Sequence, residues 1–370
     1  MKVALVYDRL NKWGGAESVL LALHKLFPSA PLYTSVYDRR KAPWAKVFDV
    51  RTSFLQKLPF TMNHELFAVL MPFAFESFSF DEYDLVISVT SEAAKGIVTK
   101  PKTRHICYCL TPTRYLWSGY DEYFKNPIFR ILSKPVVWYL RFWDKIAATR
   151  PDVYIAISKE VQTRISKYYG RESEVVYPPV EAFSSLASSV QLGNKKLDAN
   201  LLGAKRSYFL IVSRLVSYKK IDLAIKVFNK LKLQLKIIGI GAEMDRLKAM
   251  SGSTVEFLGN LTDKELVRYY SECRALIFPG LEDFGLTILE AQSFGKPVIA
   301  FSGGGALETI VDPSAGSGSA TGIFFDEQTI ESIEKAIKQF GNIKFDSEDC
   351  IEQAEKFSLN KFKELFLSKI

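Results

Sequence analysis

The sequence ALIFPGLEDFGLTILEAQSFGKPVIAF, residues 275–301, contains two short apolar runs on either side of a loop and a helical segment. The runs at 275–278 and 298–301 are rich in Leu, Ile, Val and Phe, as buried parallel strands are. Between them, residues 286–294 repeat apolar side chains at helical spacing after a Gly-containing loop. We interpret the stretch as a strand, a loop, a helix and a second strand, which is the repeating unit of an α/β fold.

The same alternation of strands and helices occurs in both halves of the 370-residue chain. Further strands are predicted at "KVALVYD", "DLVISVT", "HICYCL", "SYFLIVSRL" and "LKIIGIG". Residues 184–204 are polar and lack periodicity, which is typical of an interdomain connection. A chain of this length also exceeds the size of a single hydrophobic core. We therefore predict two α/β domains, at 1–180 and 181–355, whose ligands bind at the carboxyl ends of the strands.

Charge and composition narrow the class of protein. Forty-nine Lys and Arg against forty-one Asp and Glu give a net charge of +8, which favours an anionic partner: nucleotide phosphates, a phospholipid surface or nucleic acid. Four scattered cysteines and three histidines argue against a disulfide framework or a His/Cys metal site. The longest apolar stretch, 66–75, would span about half of a bilayer's hydrocarbon core, and the N-terminus does not resemble a signal peptide. We expect a cytoplasmic protein that does not span a membrane.

Residues 123–150 form a basic, aromatic segment with six Lys or Arg, one acid and seven aromatic residues. Such a segment at helical spacing can lie on an anionic membrane surface. It can also be a partly buried helix pair, broken near Pro135, whose cations are hydrated. The sequence leaves both interpretations open.

Gly14 and Gly15 stand between the first predicted strand and the first helix. Backbone N–H groups and the helix dipole favour an anion there, and glycine lets a phosphate approach the backbone closely. A tight turn explains the same pair of glycines. The dinucleotide-binding fingerprint is absent, because "WGGAES" lacks the spaced third glycine and "GIGAEM" ends in Met244. A nicotinamide enzyme is therefore disfavoured.

Two cations, Arg214 and Lys219, lie on the loop after the first strand of the second half. Cations at a strand end can hold a diphosphate and stabilise the charge that develops as it departs. Because the sequence shows no set of metal ligands, such side chains would do what Mg²⁺ does elsewhere. The alternative is that both are solvated surface charges.

Glu282 and Glu290 lie eight positions apart around a Phe-Gly pair. Glu282 falls in the predicted loop, and Glu290 falls about one turn into the helix. Backbone N–H groups between them can bind phosphate, so that one carboxylate would face a sugar and the other a ribose diol. The alternative is that Glu282 complements the helix dipole and Glu290 is solvated. The N–H groups concerned belong to Phe284, Gly285, Leu286 and Thr287.

The combined motifs resemble a known family. Three segments of this chain resemble the donor-binding half of retaining family-four glycosyltransferases. They are "SRLVSYKKIDLAI", "VEFLGNLTDKEL" and residues 275–310. These enzymes share a Glu-x7-Glu signature, which Glu282 and Glu290 match. The first half is similar to bacterial mannosyltransferase-like enzymes that build O-antigen and capsule, in "YDLVISVTSEAAKGI" and "HICYCLTPTRYLW".

The resemblance implies a GT-B fold, in which two Rossmann-like domains face a central cleft. A C-terminal helix, about 356–370, would cross back to the first domain. The donor would be a GDP-, UDP- or dTDP-linked sugar, mannose or a 6-deoxy hexose, and the acceptor a glycan or lipid-linked glycan. No cofactor, metal or nucleic acid is implied. The enzyme would work in the cytoplasm, at the inner face of the membrane.

The same resemblance assigns binding roles to residues by their position. Glu282 would contact the hydroxyls of the donor sugar, and Glu290 would contact the ribose diol. The base would be bound near Phe257 and Leu258, largely through the main chain. Main-chain binding would explain why the sequence does not distinguish guanine from uracil or thymine.

The diphosphate would be held by Arg214 and Lys219, together with Gly15 and the backbone of 284–287. By resemblance the transfer retains the anomeric configuration. The leaving phosphate would accept the acceptor's proton, so that the sequence needs no separate strong base.

Leu110 departs from the family pattern. Relatives usually carry His just before the Thr-Pro of "YCLTPTRYLW", and that His contacts the donor sugar near its C6 hydroxyl. A leucine cannot hydrogen-bond, and an unpaired buried hydroxyl costs about 1–3 kcal/mol. Three explanations are open: the sugar is 6-deoxy, another residue replaces the histidine, or the protein has lost activity and is a non-catalytic nucleotide-sugar-binding partner of an assembly complex. A smaller departure is Lys220, where glycine is usual.

Overall fold

The structure is a computed structural model that describes four stretches of the chain: 1–58, 67–180, 208–313 and 319–370. The described residues divide into two compact units, Met1–Tyr177 with Ile370, and Pro178–Lys369. The interdomain connection predicted at 184–204 lies outside the described residues.

A fully parallel sheet of seven strands forms the first unit. Its strands are β1 (Val3–Tyr7), β2 (Leu32–Thr34), β3 (Val50–Thr52), β4 (Leu85–Thr90), β5 (Arg104–Cys109), β6 (Val153–Ala156) and β7 (Glu174–Val175). They lie in the order β3-β2-β1-β4-β5-β6-β7. Its helices are α1 (Gly15–Leu26), α2 (Met71–Glu76), α3 (Tyr120–Tyr123), α4 (Pro127–Ala147) and α5 (Lys159–Tyr169).

The second unit repeats this plan with six parallel strands. Its strands are β8 (Tyr208–Val212), β9 (Gln234–Ile238), β10 (Val255–Gly259), β11 (Leu276–Phe278), β12 (Val298–Phe301) and β13 (Gly322–Phe325). They lie in the order β10-β9-β8-β11-β12-β13. Its helices are α6 (Ile221–Leu231), α7 (Met244–Ala249), α8 (Asp263–Glu272), α9 (Leu286–Ser293), α10 (Ala306–Thr309), α11 (Ile330–Phe340), α12 (Ser347–Glu355) and α13 (Leu359–Leu367).

Helices cover both faces of the second sheet, which is why strands such as β8, β11 and β12 are apolar along their whole length. On one face, Phe209 and Ile211 of β8 pack in a core with residues of α6 and α11. On the other face, Tyr208 and Leu210 pack with residues of α8 and α9. The first sheet has the same character, since all six residues of β4 are buried.

The order of strands reverses once in each sheet. In the first sheet β4 returns to the side of β1, where Val89 pairs with Tyr7. In the second sheet β11 returns to the side of β8, where Leu276 pairs with Leu210. Ligands of open parallel sheets bind outside the carboxyl ends of the strands at such a reversal point. Each unit therefore has one topologically favoured position for a site.

The predicted break of segment 123–150 near Pro135 is wrong. Helix α4 runs without interruption from Pro127 to Ala147 and contains Pro135. Proline cannot donate the intrahelical hydrogen bond to the residue four positions earlier. Both Pro135 and Ile131 are exposed, so water can solvate the carbonyl group that is left without its donor.

The last helix, α13, buries Phe362 and Phe366 and leaves Leu365 42% exposed. Its residues group with the second unit. The predicted crossing of this helix to the first domain stays a prediction.

Candidate functional site

The reversal point of the second sheet carries a small cavity. Its walls are the carboxyl ends of β8 and β11 and the loops that follow them. The lining residues are Ile211, Val212, Ser213, Lys219, Ile221, Ile277, Phe278, Pro279, Gly280 and Glu282. Two of the residues predicted to be catalytic, Lys219 and Glu282, therefore meet in the place that the topology favours.

Lys219 and Glu282 form an ion pair through Nζ and Oε1, with side chains only 14% and 16% exposed. The Lys219 ammonium also lies 5.3 Å from the ring centroid of Tyr218. Opposite charges are tolerated in a partly desolvated position only when they are paired. Lys219 is therefore not a solvated surface charge.

Arg214 lies on the same loop and is exposed. Its Nη2 donates a hydrogen bond of 2.8 Å to the hydroxyl of Tyr218.

Two structural features hold the loop of Arg214 and Lys219 against the strand ends. Lys220, where relatives have glycine, adopts the left-handed conformation at φ 53°, and a Cβ added to Gly280 would come within 2.9 Å of the Lys219 Cα.

The loop that carries Glu282 is held by two glycines, Gly304 and Gly305, to which no role was assigned from the sequence. Gly305 donates its N–H to the Glu282 carbonyl at 3.0 Å, and a Cβ on Gly305 would lie 2.2 Å from the Phe284 Cα. Gly304 has a φ of 59°, and its Cβ would lie 2.2 Å from the Glu282 carbonyl oxygen. The signal in the sequence is the run Gly303–Gly305, of which Gly304 and Gly305 allow this close approach of two backbones.

Helix α9 begins immediately after this loop. Gly285 caps it with a left-handed φ of 90°, which lets the chain turn from the loop into the first helical turn. The amide groups of a first turn have no intrahelical acceptor, and the dipole adds partial positive charge there. The Phe284 side chain is buried against Phe357, with ring centroids 5.7 Å apart. Only its backbone is therefore available to a ligand.

Glu290 lies one turn into α9 and is partly buried. The buried Tyr270 donates its hydroxyl to Glu290 Oε2 at 2.6 Å. Burial raises the pKa of Glu290 to about 7; the hydrogen bond from Tyr270 opposes this rise, and the nearby carboxylate of Asp263 adds to it. The interpretation of Glu290 as a solvated helix residue is wrong.

We expect the Glu290→Gln variant to gain stability relative to the wild type as the pH rises from 5 to 8. The folded state binds the proton of Glu290 more tightly than the unfolded chain does, because its pKa is raised. The contribution of this proton to the free energy of unfolding is thus full below about pH 4.5 and is lost as the pH rises through about 7. Glutamine does not titrate, so the variant keeps its stability over this range. We expect the wild type to lose about 1–3 kcal/mol of its free energy of unfolding.

Urea unfolding at pH 5 and pH 8 measures this effect. Glu256→Gln is the control, since the Glu256 side chain is 57% exposed on strand β10 of the same unit. A stability difference between Glu290→Gln and the wild type that does not change with pH would contradict the raised pKa.

Phe257 and Leu258 lie on the edge strand β10 and point to opposite faces. Phe257 packs against one core of the second unit and Leu258 against the other. The register of β10 shifts between Phe257 and Gly259, and the Gly259 carbonyl accepts a hydrogen bond of 2.7 Å from the N–H of Gly239. The predicted contact with a base stays a prediction, and this irregular main chain is what would make it.

In the first unit, Gly15 begins α1, and Gly14 precedes it in an extended conformation at φ 172°. Glu17 lies in the first turn, is 1% exposed and accepts a hydrogen bond of 2.6 Å from the Tyr7 hydroxyl. This carboxylate already complements the positive end of the helix dipole. Phosphate binding at Gly14 and Gly15 stays a prediction, and any phosphate there would have Glu17 as a neighbour.

Leu110 directly follows β5 and is half-buried. Its N–H donates to the Thr90 carbonyl at 2.8 Å. The carboxyl ends of β4 and β5 therefore hold it near the reversal point of the first sheet.

The sequence analysis missed a buried carboxylate at that reversal point. Asp8 follows β1, is 2% exposed and accepts N–H bonds of 2.7–3.1 Å from the loop after β4. The next residue, Arg9, forms an ion pair with Glu92 of the same loop. Asp8 therefore fixes a loop that displays a second charged pair. The four N–H donors belong to Ser91, Glu92, Ala93 and Ala94.

The sequence also gave no indication that Lys95 and Asp144 form a buried ion pair. Lys95 Nζ lies 2.5 Å from Asp144 Oδ1, and both side chains are at most 2% exposed. Asp144 also accepts hydrogen bonds from the Thr113 hydroxyl at 3.2 Å and from Trp117 Nε1 at 2.7 Å. The pair thus connects the "SEAAKGI" and "TPTRYLW" motifs through α4. Its only signal in the sequence is that Asp144 is the single acid of segment 123–150.

The four described stretches contain neither a cluster of metal ligands nor a membrane-spanning helix. No group of three or more His, Cys, Asp or Glu in them is placed to hold a metal ion. No helix there is long and apolar enough to cross a membrane.

Two parallel-sheet units of this kind are the GT-B fold of glycosyltransferases, and the predicted fold class is confirmed. Anabaena HepE, solved in complex with UDP and glucose, superposes with a TM-score of 0.70 over 100% of this chain and 99% of its own, at 20% identity. The sucrose-phosphate synthase of Thermosynechococcus elongatus gives a TM-score of 0.71 over the full length of both chains, at 16% identity. At these identities the likeness establishes the fold alone.

Residues 194–357 match the family model "Glycosyl transferases group 1". The second half of the chain is therefore similar to group 1 glycosyltransferases, which confirms the resemblance predicted for that half. The alpha-1,3/1,6-mannosyltransferase ALG2 of Dictyostelium discoideum is 28% identical over 65% of this chain and 64% of its own length. The O-antigen chain mannosyltransferase C of Escherichia coli is 29% identical over 42% of this chain and 41% of its own. The chain thus matches less than two thirds of the length of either relative.

Proposed function

We propose that this chain is a retaining glycosyltransferase. It would move a sugar, mannose or a 6-deoxy hexose, from a nucleoside diphosphate donor to a glycan or lipid-linked acceptor in surface polysaccharide biosynthesis. The observation that carries the proposal is the ion pair of Lys219 and Glu282 beside the cavity at the reversal point of the second sheet. A diphosphate sugar needs a cation for its phosphates and an acceptor for its hydroxyls, and the two stand together there. The group 1 domain and the mannosyltransferase relatives support the choice of reaction.

In the proposed reaction the bond between the anomeric carbon and the β-phosphate oxygen breaks, and its electron pair stays on the phosphate. The acceptor hydroxyl bonds to the anomeric carbon on the same face, and its proton passes to the leaving phosphate. Negative charge therefore develops on the diphosphate. Lys219, Arg214 and the first turn of α9 would stabilise it, which makes the reaction independent of a metal ion.

Glu282 would orient the sugar and stabilise positive charge at the anomeric carbon. The ion pair gives this role a physical basis, since a diphosphate that binds Lys219 competes with Glu282 for the ammonium group. The Glu282 carboxylate is then available to accept hydrogen bonds from sugar hydroxyls. Glu290, with its hydrogen bond from Tyr270, would accept bonds from the ribose diol.

A second candidate function rests on Leu110. If the protein is inactive because Leu110 replaces the usual histidine, it would be a non-catalytic nucleotide-sugar-binding partner of an assembly complex. Slow release of free sugar and nucleoside diphosphate from a bound donor distinguishes the two, because only a catalytically competent site breaks the glycosidic bond.

A thermal-shift panel with GDP-, UDP- and dTDP-linked sugars tests the proposal. A ligand at 100 times its Kd stabilises a protein by about 2.7 kcal/mol, which is readily seen as a rise in Tm. We expect selective stabilisation by donors that share one base. No stabilisation by any nucleotide would overturn the assignment of the site.

The same panel includes 6-deoxy donors and the Leu110→His variant. If Leu110 contacts a methyl group at C6, the wild type prefers a 6-deoxy donor and the variant shifts its preference toward the 6-hydroxy sugar. Unchanged selectivity in the variant would show that Leu110 does not determine the sugar.

A further inference from the structure

Helix α4 is apolar on two opposite faces. One face packs into the first unit through Val137, Leu140, Asp144 and Ala147, all of which are buried. A surface helix of a globular protein normally carries polar side chains opposite its core face. Here the outward face carries large apolar residues instead: Ile128 (69% exposed), Ile131 (62%), Leu132 (72%), Trp138 (72%), Phe142 (58%) and Ile146 (42%).

All of these residues except Leu132, together with Pro135, form one continuous stripe. Positions 128, 131, 135, 138, 142 and 146 are separated by three or four residues, which places them along one side of the helix. The rings of Trp138 and Phe142 stack at 6.1 Å with an angle of 11° between their planes. A contiguous patch of exposed apolar side chains marks a surface that binds a membrane or another protein. We call this stripe the outer face of α4.

Cations border the outer face, and acids are missing from it. Lys134 and Lys145 are eleven residues apart, close to three helical turns, and lie exposed along one edge of the stripe. Arg130 and Arg141 follow the same edge toward the core. The single acid of α4, Asp144, lies on the opposite face, where it pairs with the buried Lys95.

We propose that the outer face of α4 binds the surface of a bilayer that contains anionic phospholipids. The helix would lie parallel to the surface, with Trp138 and Phe142 among the acyl chains and with Lys134 and Lys145 at the lipid phosphates. Charge decides between this occupant and a second copy of the chain. A second copy would bring the same cations to the contact and no acid from α4 to neutralise them.

The position of α4 assigns this surface a role in bringing a lipid-linked acceptor to the first unit, and this role rests on the proposed function. The core face of the same helix carries Asp144, which binds Thr113 and Lys95 at the carboxyl ends of the first sheet. A bilayer on the outer face would lie one helix diameter, about 10–12 Å, from that polar cluster. A lipid-linked acceptor could then reach the first unit while its lipid stays in the membrane. The inference of lipid binding itself needs no sugar chemistry.

Flotation of the full chain with vesicles tests the proposal in the absence of any nucleotide. Vesicles of phosphatidylcholine alone are compared with vesicles of phosphatidylcholine and phosphatidylglycerol. We expect flotation with the anionic vesicles, weakened by high salt, and little with the neutral ones. Equal flotation with both, or with neither, would overturn the proposal.

Matched variants locate the surface. Ile131→Ser/Trp138→Ser/Phe142→Ser is expected to lower vesicle affinity at least about tenfold, whereas Phe73→Ser/Val98→Ser/Leu307→Ser is expected to leave it unchanged. The control residues are 53%, 52% and 54% exposed and lie elsewhere on the chain. Equal Tm values for both triple variants show that each is folded.

A charge reversal provides the second pair of variants. Lys134→Glu/Lys145→Glu is expected to lower affinity for anionic vesicles at least about tenfold. The control is Lys46→Glu/Lys102→Glu, two exposed lysines of the first unit. A wild type that is dimeric by light scattering, that ignores vesicles and that becomes monomeric in the apolar triple variant would assign the face to a second copy instead. Because donor binding is measured separately by thermal shift, failure of either proposal leaves the other standing.

Discussion

Replacing Lys219 by methionine is expected to lower kcat/KM for sugar transfer by about 10²–10³-fold. Methionine keeps much of the length of the lysine side chain and removes the charge that would bind the departing diphosphate. Its loss should therefore raise the barrier of the step in which negative charge develops. Steady-state kinetics with the donor identified by the thermal-shift panel measures the effect.

The companion variant Glu282→Gln separates the roles of the two partners. Glutamine still donates and accepts hydrogen bonds but cannot stabilise positive charge on the sugar. We expect Glu282→Gln to keep more donor affinity than Lys219→Met while losing most of kcat. If the ion pair were only structural, both variants would lose stability and neither would change kcat once folded.

The control for Lys219→Met is Lys248→Met. Lys248 is an exposed cation of the second unit on α7, away from the cavity. It should leave both kcat/KM and donor affinity unchanged. Full transfer activity in Lys219→Met would remove the ion pair as the basis of the proposed function.

The sequence was sufficient for most of the fold, because the fold follows from local apolar patterns. The run Leu85–Thr90 has Leu, Val or Ile at four of its six positions and is buried at all six, since both faces of a parallel strand are covered. The loops and the start of α9 also followed from local signals, notably Gly285. The break at Pro135 was wrong because an exposed carbonyl in a packed helix can do without its donor, and that exposure is a tertiary property.

The candidate site was predictable only in part. Lys219 and Glu282 lie 63 positions apart, and no local pattern shows that two such charges meet. The family resemblance assigned one residue to the diphosphate and the other to the sugar of the donor, and the structure shows that their side chains form an ion pair. The run Gly303–Gly305 predicts an unusual backbone conformation. It does not identify the other segment of backbone that approaches it, because that depends on the tertiary fold.

The polar cluster of the first unit had no sequence signal of comparable strength. Asp8 and Lys95 were assigned no role from the sequence, and Asp144 counted only as the single acid of segment 123–150. Their contacts depend on strand order, which places the loops after β1 and β4 side by side. Polar groups separated by 49 or 86 positions, such as Lys95 and Asp144 or Asp8 and the N–H of Ala94, become neighbours only through topology.

The largest expected effect on stability comes from the buried pair in that cluster. Asp144→Ala is expected to lower the free energy of unfolding by about 3–5 kcal/mol, as breaking a buried ion pair does. Burial by itself lowers the pKa of Lys95, and Asp144 outweighs that effect so that the pKa is raised. Without Asp144 the main group that raises this pKa is gone, so the lysine loses its proton or stays charged at high cost. The hydroxyl of Thr113 and the indole N–H of Trp117 lose their acceptor as well.

Urea unfolding of Asp144→Ala, of Lys95→Met and of Lys95→Met/Asp144→Leu forms a double-mutant cycle. The double variant should recover much of the stability that each single variant loses, because no unpaired charge is left in the core. The control is Asp81→Ala, which breaks an exposed pair with Lys100 whose side chains are 60% and 52% exposed. That change should cost only about 0–1 kcal/mol. If Asp144→Ala cost no more than Asp81→Ala, the cluster would be hydrated in solution, and the loops after β4 and β5 would lack the anchor that holds them at the reversal point of the first sheet.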